Sequence, residues 1–131
     1  MLRFVIPLET PSKKNSRVFL KNGFNIPSKQ YQRWHEKAKP YIFNQTEFLS
    51  GLGLGFTIPI EKEVRIKLTF YHGDQRRRDS DNGTSSILDL LQDCYILKDD
   101  CWQIVRALEI LNYYDKGNPR CVIEITDFET N

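Results

Sequence analysis

A strand that leads through a charged turn into a helix is the feature that most restricts how this chain can fold. Residues 64–72, VRIKLTFYH, alternate apolar and polar side chains, which is typical of a half-buried β-strand. Residues 84–94 then place apolar side chains at helical spacing. The apolar side chains of that face are Ile87, Leu90, Leu91 and Cys94, and Asp81 or Asn82 is predicted to cap this helix. A strand followed at once by an amphipathic helix predicts helices that pack on a sheet.

Four other segments carry strand signals. Residues 2–8, 101–114 and 120–128 are rich in β-forming side chains, and each predicts a strand. Residues 17–28 predict a hairpin that turns at Asn22-Gly23, because both residues tolerate a positive φ. The order of strands and helices predicts one α+β domain over residues 1–131, with two main helices packed on a mixed or antiparallel sheet.

The first of the two helices is predicted to begin after Ser28, a favourable N-cap residue. Its predicted core-facing stripe consists of Tyr31, Trp34, Ala38 and Tyr41. Pro40 predicts a kink or the end of this helix, because proline donates no backbone hydrogen bond. Residues 48–63 combine three alternating glycines with Pro59, and we interpret them as a flexible connector.

The charge of the chain is unevenly distributed, although its net charge is only +2. Residues 1–40 carry nine Lys and Arg against two Glu, whereas residues 84–131 carry four basic and nine acidic residues. A basic segment in a nearly neutral protein indicates a surface that faces a polyanion, and a solvated basic helix face is the alternative. No segment approaches the length of a membrane span, and no signal peptide is recognised at the N-terminus.

The cysteines favour a reducing compartment. Cys94, Cys101 and Cys121 are odd in number and widely spaced, so free thiols and a cytoplasmic location are expected. Neither His35 nor His72 stands at zinc-ligand spacing from a cysteine, so a zinc site is not expected.

The turn between the predicted strand and helix, RRRDSDNG at residues 76–83, has three possible explanations. Asp79 and Asp81 stand two residues apart, so an extended backbone sends both carboxylates to one side, about 7 Å apart at Cα, where they can grip one divalent cation. A calcium loop starting at Asp79 is excluded, because glycine and glutamate would be needed where Thr84 and Leu90 stand. Simple neutralisation of the aspartates by the three arginines, Arg76, Arg77 and Arg78, stays open.

A second acidic pair, Asp99-Asp100, follows the helix and precedes the next predicted strand. If the strands at 64–72 and 101–114 are neighbours, this pair is expected to bring a third carboxylate beside Asp79 and Asp81. Three carboxylate ligands, with water in the remaining positions, suit octahedral Mg²⁺ or Mn²⁺.

The segment RRRDSDNGTSSILDLLQDCYILKDDCWQIV and the early PSKKNS at residues 11–16 resemble the RusA family of Holliday-junction resolvases. The resemblance implies a RusA-like fold and a homodimeric, metal-dependent endonuclease that cuts four-way DNA junctions, in a family often encoded by prophages. It implies Asp79, Asp81 and Asp100 as catalytic metal ligands, and it assigns no ligand role to the neighbouring Asp99 and Asn82. The residues expected to contact the DNA backbone are Lys13, Lys14, Arg76, Arg77, Arg78 and Lys98.

One residue departs from the family pattern. The resemblance implies a catalytic lysine four residues after the second aspartate, but Ser85 stands there. A hydroxyl supplies no positive charge, so Lys98, Arg78 or the lysines at 13 and 14 would have to provide it. A catalytically inactive DNA-binding dimer and a nuclease for other branched DNA therefore remain alternatives.

Overall fold

The structure is a computed structural model, and it describes residues 1–12, 17–19, 25–51 and 57–129. The turn predicted at Asn22-Gly23 lies outside the described residues. The elements in chain order are β1 (Leu2–Ile6), β2 (Arg17–Phe19), β3 (Asn25–Pro27), α1 (Lys29–Gly51), β4 (Val64–His72), α2 (Thr84–Asp93), β5 (Val105–Tyr114) and β6 (Arg120–Asp127).

The main sheet has four strands in the order β1-β6-β4-β5. β4 and β5 are parallel and are connected through α2, whereas β6 runs antiparallel to both β1 and β4. The short strands β2 and β3 form the predicted antiparallel hairpin. The predicted α+β class, with two helices and a mixed sheet, is confirmed.

The core lies between the helices and one face of this sheet. The predicted alternation of β4 is confirmed, since Val64, Ile66, Leu68 and Phe70 are all buried. On α2 the predicted apolar stripe is confirmed as well, because Ile87, Leu90, Leu91 and Cys94 are buried. β5 begins at Val105 rather than at residue 101, since residues 101–104 form a turn instead.

The first helix begins as predicted but ends later. The Tyr31 amide donates a hydrogen bond of 3.2 Å to Ser28 Oγ, which is the N-cap interaction that the sequence predicts. The helix continues past Pro40 to Gly51, so this proline does not end it, and the alternative of a kink at Pro40 stays a prediction. Beyond Pro40, the Gln45 side chain binds both backbone groups of Val5, at 2.8 and 2.9 Å. These bonds tie the second half of α1 to the exposed edge of β1.

The core-facing stripe of α1 is predicted correctly at three of its four positions. Tyr31, Trp34 and Ala38 are buried, whereas Tyr41 is 39 % exposed and Ile42 is buried in its place. A shift from the third to the fourth residue after Ala38 stays on the same face of the helix, so both positions fit the helical period. Tertiary packing selects the apolar isoleucine for the core.

The two helices are joined by polar side chains. His35 Nε2 lies 2.9 Å from an Asp93 carboxylate oxygen, and the Tyr31 hydroxyl donates to Asp89 at 3.2 Å. Burial and the nearby carboxylates raise the pKa of Tyr31 well above its usual value, so this hydroxyl keeps its proton. The buried polar groups therefore fix α1 against α2 at a defined register.

The segment interpreted as a connector, residues 48–63, is described only at its two ends. Its first four residues belong to α1, and residues 52–56 lie outside the described residues. Ile60 is buried, and its backbone is bonded to Ile96 and Lys98 at 2.7 and 3.0 Å. The end of the segment therefore packs against the turn that follows α2.

All three cysteines are free thiols, as predicted. Burial raises the pKa of Cys94 to about 11, and complete burial raises the pKa of Cys121 further. Both thiols are therefore protonated near neutral pH and act as small apolar core groups. Among the described residues, none of the helices is both long enough and apolar enough to cross a bilayer.

Candidate metal and nucleic-acid site

The charged loop of residues 73–83 leaves the carboxyl end of β4 and enters α2, as the sequence predicts. Within it, the Asn82 amide donates to the Asp79 carbonyl at 3.0 Å and the Thr84 amide donates to the Asp81 carbonyl at 3.1 Å. These two backbone bonds form the turn that starts the helix. Gly83 is the N-cap residue and no side chain caps the helix, so the predicted cap by Asp81 or Asn82 is wrong. The side chains of Asp79 and Asp81 are consequently left to face solvent.

Two of the three loop arginines pair with carboxylates other than Asp79 and Asp81. The Arg78 guanidinium lies 2.9 Å from Asp74 and 3.3 Å from Glu9, and Arg76 lies 3.2 Å from Asp74. A hydrogen bond from the Arg76 amide, together with the two guanidinium groups, lowers the pKa of Asp74. The neutralisation explanation therefore does not describe this loop, because Arg76 and Arg78 are engaged by other carboxylates and no described arginine forms an ion pair with Asp79 or Asp81.

Asp79 and Asp81 are exposed, and neither carboxylate forms an ion pair with any residue that the structure describes. Carboxylate oxygens are the ligands that Mg²⁺ and Mn²⁺ prefer, and Mg²⁺ is commonly held by one or two carboxylates plus substrate phosphate and water. The donor pair fits such an ion. The described part of one chain contains no group of three or more His, Cys, Asp or Glu side chains able to hold a metal.

Asp99 and Asp100 lie at the opposite end of the sheet. β4 and β5 are neighbours, as expected, but they are parallel with Val64 opposite Val105 and His72 opposite Tyr114. Asp99 and Asp100 precede β5, whereas the loop with Asp79 and Asp81 follows β4 and contacts Asn112 near the end of β5. The seven residues from Val105 to Asn112 span about 23 Å. The expected convergence of the three carboxylates within one chain is therefore wrong.

The other residues singled out in the sequence, where the structure describes them, lie at one or the other of these two ends of the sheet. Lys98 is exposed beside Asp99, far from the charged loop, and its amide donates a hydrogen bond to the Ile60 carbonyl. Ser85 is half-buried in the first turn of α2, directly after the loop. Lys13 and Lys14 lie outside the described residues.

The loop is held in place by a residue that the sequence analysis overlooked, Glu9. Its carboxylate accepts hydrogen bonds from the Gly73 amide at 3.0 Å and from Arg78 at 3.3 Å, and it contacts His72 Nδ1 at 3.1 Å. Glu9 is one of only two acidic residues among the first forty, so its isolation in a basic segment was the available signal. The buried Ser86 hydroxyl adds a second anchor by donating to the Pro11 carbonyl at 2.6 Å.

A cleft of about 320 Å³ lies between the segment after β1, helix α1 and the charged loop of residues 73–83. Arg77 borders this cleft, is exposed, and forms no ion pair with any described residue. Thr10 and Trp34 also line it, and the Thr10 hydroxyl and Trp34 Nε1 are buried without a hydrogen-bond partner among the residues described. The exposed Arg77 guanidinium makes this cleft suited to an anionic group.

Strand β5 is an edge of the sheet and is unusually apolar for that position. It pairs with β4 on one side, and within the described chain no strand covers its other side. Leu108, Tyr113 and Tyr114 are exposed by 41 %, 52 % and 50 %. A long, uncovered edge strand with exposed apolar side chains is a template for pairing with another strand.

The fold and this loop define a small α+β domain that presents a carboxylate pair beside an arginine-bordered cleft. The family model described as endodeoxyribonuclease RusA matches residues 7–126, which is most of the chain. The chain therefore belongs to the RusA endodeoxyribonuclease family. No curated protein matches it.

Proposed function

We propose that this protein is a metal-dependent endonuclease that resolves four-way (Holliday) DNA junctions as a homodimer. Membership of an endodeoxyribonuclease family supports cleavage of DNA. The observation that carries the proposal is the state of Asp79 and Asp81, which are exposed and without a cationic partner in the described chain although three arginines adjoin them. Two uncompensated carboxylates repel each other, and a bound cation removes that cost.

Asp79 and Asp81 are proposed to hold Mg²⁺, for which Mn²⁺ is an alternative, and when bound this ion lowers the pKa of a water ligand and offsets charge on the scissile phosphate. The two carboxylates orient the ion at the loop that precedes α2. Ser85 lies in the first turn of α2, directly after this loop, and its hydroxyl supplies no charge. Arg77 is the arginine of the loop without an ion-pair partner among the described residues, so it is proposed to bind an adjacent phosphate.

The third ligand is proposed to come from a second copy of the chain. Antiparallel pairing of two β5 edges would place the amino end of one strand beside the carboxyl end of the other. Asp100 of the partner subunit would then approach the loop that carries Asp79 and Asp81. The uncovered edge of β5 and its exposed apolar side chains, among them Leu108 and Tyr113, support this pairing. A two-fold dimer with two such sites matches the two-fold symmetry of a four-way junction.

The nuclease proposal is tested by incubating the purified protein with a synthetic four-way junction, a flap and a plain duplex of the same sequence. We expect symmetric cleavage of the junction in Mg²⁺ and little cleavage of the duplex. Removal of the metal with EDTA should stop cleavage, and the Asp81→Asn variant should bind the junction without cutting it.

Three outcomes of this experiment would contradict the proposal. Junction binding without cleavage by the unaltered protein would indicate the inactive DNA-binding dimer, for which the serine at position 85 is the specific reason. Preferential cutting of the flap would indicate a nuclease for other branched DNA. Equal cutting of plain duplex would exclude junction selectivity.

The proposed phosphate contact predicts a specific effect of Arg77→Ala. Junction affinity should fall by a similar factor for every junction sequence, and the slope of log affinity against log salt should decrease by about one, because one phosphate contact is lost. The measurement is fluorescence anisotropy at several salt concentrations, without divalent metal if cleavage interferes.

The matched control for Arg77→Ala is Arg3→Ala. Arg3 is also exposed but lies on β1, at the sheet edge opposite to β5. An unchanged salt slope for Arg77→Ala, or an equal change for both variants, would contradict a specific phosphate contact at Arg77.

A further inference from the structure

His72 ends strand β4 and bridges two hydrogen-bond acceptors. Its Nδ1 lies 3.1 Å from a Glu9 carboxylate oxygen, and its Nε2 lies 2.8 Å from the Asn112 side-chain oxygen. The same Glu9 carboxylate also accepts from the Gly73 amide and from Arg78. An oxygen pair that accepts from these groups is an ionised carboxylate, which has no proton to donate to His72.

The orientation of the Asn112 amide follows from its other contact. Asn112 Nδ2 donates to the Ser80 carbonyl at 2.9 Å. A carbonyl oxygen only accepts, so the amide nitrogen must face Ser80 and the amide oxygen must face His72. Both ring nitrogens of His72 therefore face acceptors, and both must donate. A neutral imidazole carries one N–H group, whereas the imidazolium carries two.

We propose that His72, as the imidazolium, is a positioning residue for the carboxylate pair. Its two N–H groups connect Glu9 to Asn112, and Asn112 in turn holds the carbonyl of Ser80. Ser80 stands between Asp79 and Asp81, so the orientation of its peptide unit sets the directions of the two flanking side chains. The consequence for metal binding rests on the proposed function, whereas the protonation state of His72 does not.

The surroundings of His72 supply charges of both signs. Glu9 approaches from the segment after β1, and Asp74 and Arg78 approach from the loop. Asp115, after β5, donates its amide to the His72 carbonyl and pairs with Arg120 of β6. On its own strand, the Phe70 ring stacks with the imidazole at a centroid distance of 6.2 Å.

Deprotonation of His72 would break the hydrogen-bonded connection from Glu9 to Ser80 at Asn112. A neutral ring keeps one N–H, and the Glu9 carboxylate is the stronger acceptor for it. The bare Nε2 would then face the Asn112 oxygen, which also carries lone pairs, and the amide would turn away and release Ser80. The connection from Glu9 to Ser80 therefore depends on a His72 ring that carries both N–H groups.

Nitrogen NMR of the imidazole groups tests the protonation state directly. The chain has only two histidines, so the His35→Gln variant leaves a single set of imidazole signals. At about pH 7, in the range where histidine charge is set by its surroundings, we expect both His72 nitrogens to be protonated. A signal pattern of a neutral tautomer, with one protonated and one bare nitrogen, would overturn the proposal.

Mn²⁺ binding tests the positioning role without requiring cleavage. The Asn112→Leu variant removes the connection to Ser80 while leaving His72 and both aspartates in place. We expect its affinity for Mn²⁺, followed by electron paramagnetic resonance, to fall about tenfold, as when a partner of a ligand is lost. In the unaltered protein the affinity should fall as the protonated fraction of His72, followed by the same NMR signals, falls, and this dependence should be absent in Asn112→Leu.

The control is Asn44→Leu, an exposed asparagine on α1 far from the loop. Equal Mn²⁺ affinity and equal pH dependence in Asn112→Leu and the unaltered protein would overturn the positioning role. Absence of Mn²⁺ binding in the unaltered protein would instead contradict the proposed metal site, and the NMR result would still decide the state of His72.

Discussion

A mixture of the Asp81→Asn and Asp100→Asn variants is expected to cleave a four-way junction although each variant alone does not. Asp81 and Asp100 lie at opposite ends of the sheet in one chain, and the proposed site joins one chain's Asp81 to its partner's Asp100. A mixed dimer then has one site with both lesions and one intact site. If each site were built within one chain, every site of the mixed dimer would carry one lesion.

The expected sizes of these effects follow from ligand loss and from subunit exchange. Each variant alone should lose more than about 100-fold in cleavage rate, because losing a ligand costs more than the 10–100-fold lost with an outer partner of a ligand. After unfolding and refolding together in equal amounts, about half of the dimers are mixed, so about a quarter of all sites are intact. The product should be mainly a junction nicked on one strand, measured by denaturing electrophoresis.

Two further mixtures serve as controls. Asp79→Asn mixed with Asp81→Asn should stay inactive, since each site of the mixed dimer then carries one of the two lesions in its carboxylate pair. Asp99→Asn alone should keep its activity, because the family pattern assigns the metal-binding role to Asp100. Failure of the first mixture to cleave, with mixed dimers shown to be present by mass spectrometry of intact complexes, would contradict a site shared between two chains.

The second large effect is expected from Gly83→Ala. A Cβ at this position would lie 2.8 Å from the Phe70 ring and 2.9 Å from Thr10 Cγ2, closer than such atoms approach in proteins. Gly83 has φ −97°, so the cost arises from crowding and not from backbone strain. Overpacking of this kind should lower the free energy of unfolding by about 1–3 kcal/mol. Since Gly83 joins Asp81 to α2, junction cleavage should fall as well.

Gly117→Ala is the matched control, because a Cβ there would meet only an Asp115 carboxylate oxygen at 3.9 Å. Urea unfolding followed by circular dichroism measures both variants. Gly83→Ala with the stability of the unaltered protein would show that Phe70 or Thr10 moves aside without cost, contrary to the packing described here.

Much of the fold could be predicted because local patterns and tertiary packing agree in those segments. The alternation of β4 and the stripe of α2 each leave one arrangement that buries the apolar side chains. The order of these elements then restricts the class to helices on a mixed sheet. Ser28 was identifiable as an N-cap because its interaction spans three residues.

Predictions failed where distant contacts override a local rule. Pro40 does not end α1, because Gln45 beyond it is bonded to the backbone of Val5, forty residues away along the chain. The choice between Tyr41 and Ile42 depends on what faces the helix, which the helical period alone leaves undecided. The prediction that Asp81 or Asn82 caps α2 failed because the backbone turn already engages the Thr84 amide, which such a cap would have bound.

The sequence by itself determined the chemistry of this protein: which carboxylates and arginines adjoin, that they precede a helix, and which family pattern they follow. The tertiary structure decided how those groups are partnered. Glu9 and Asp74 engage Arg78, which leaves Asp79 and Asp81 exposed, and the parallel register of β4 and β5 carries Asp100 to the far end of the sheet. Spacing along a chain defines the neighbours within a few residues, whereas strand direction and long-range ion pairs are set only when the whole core packs.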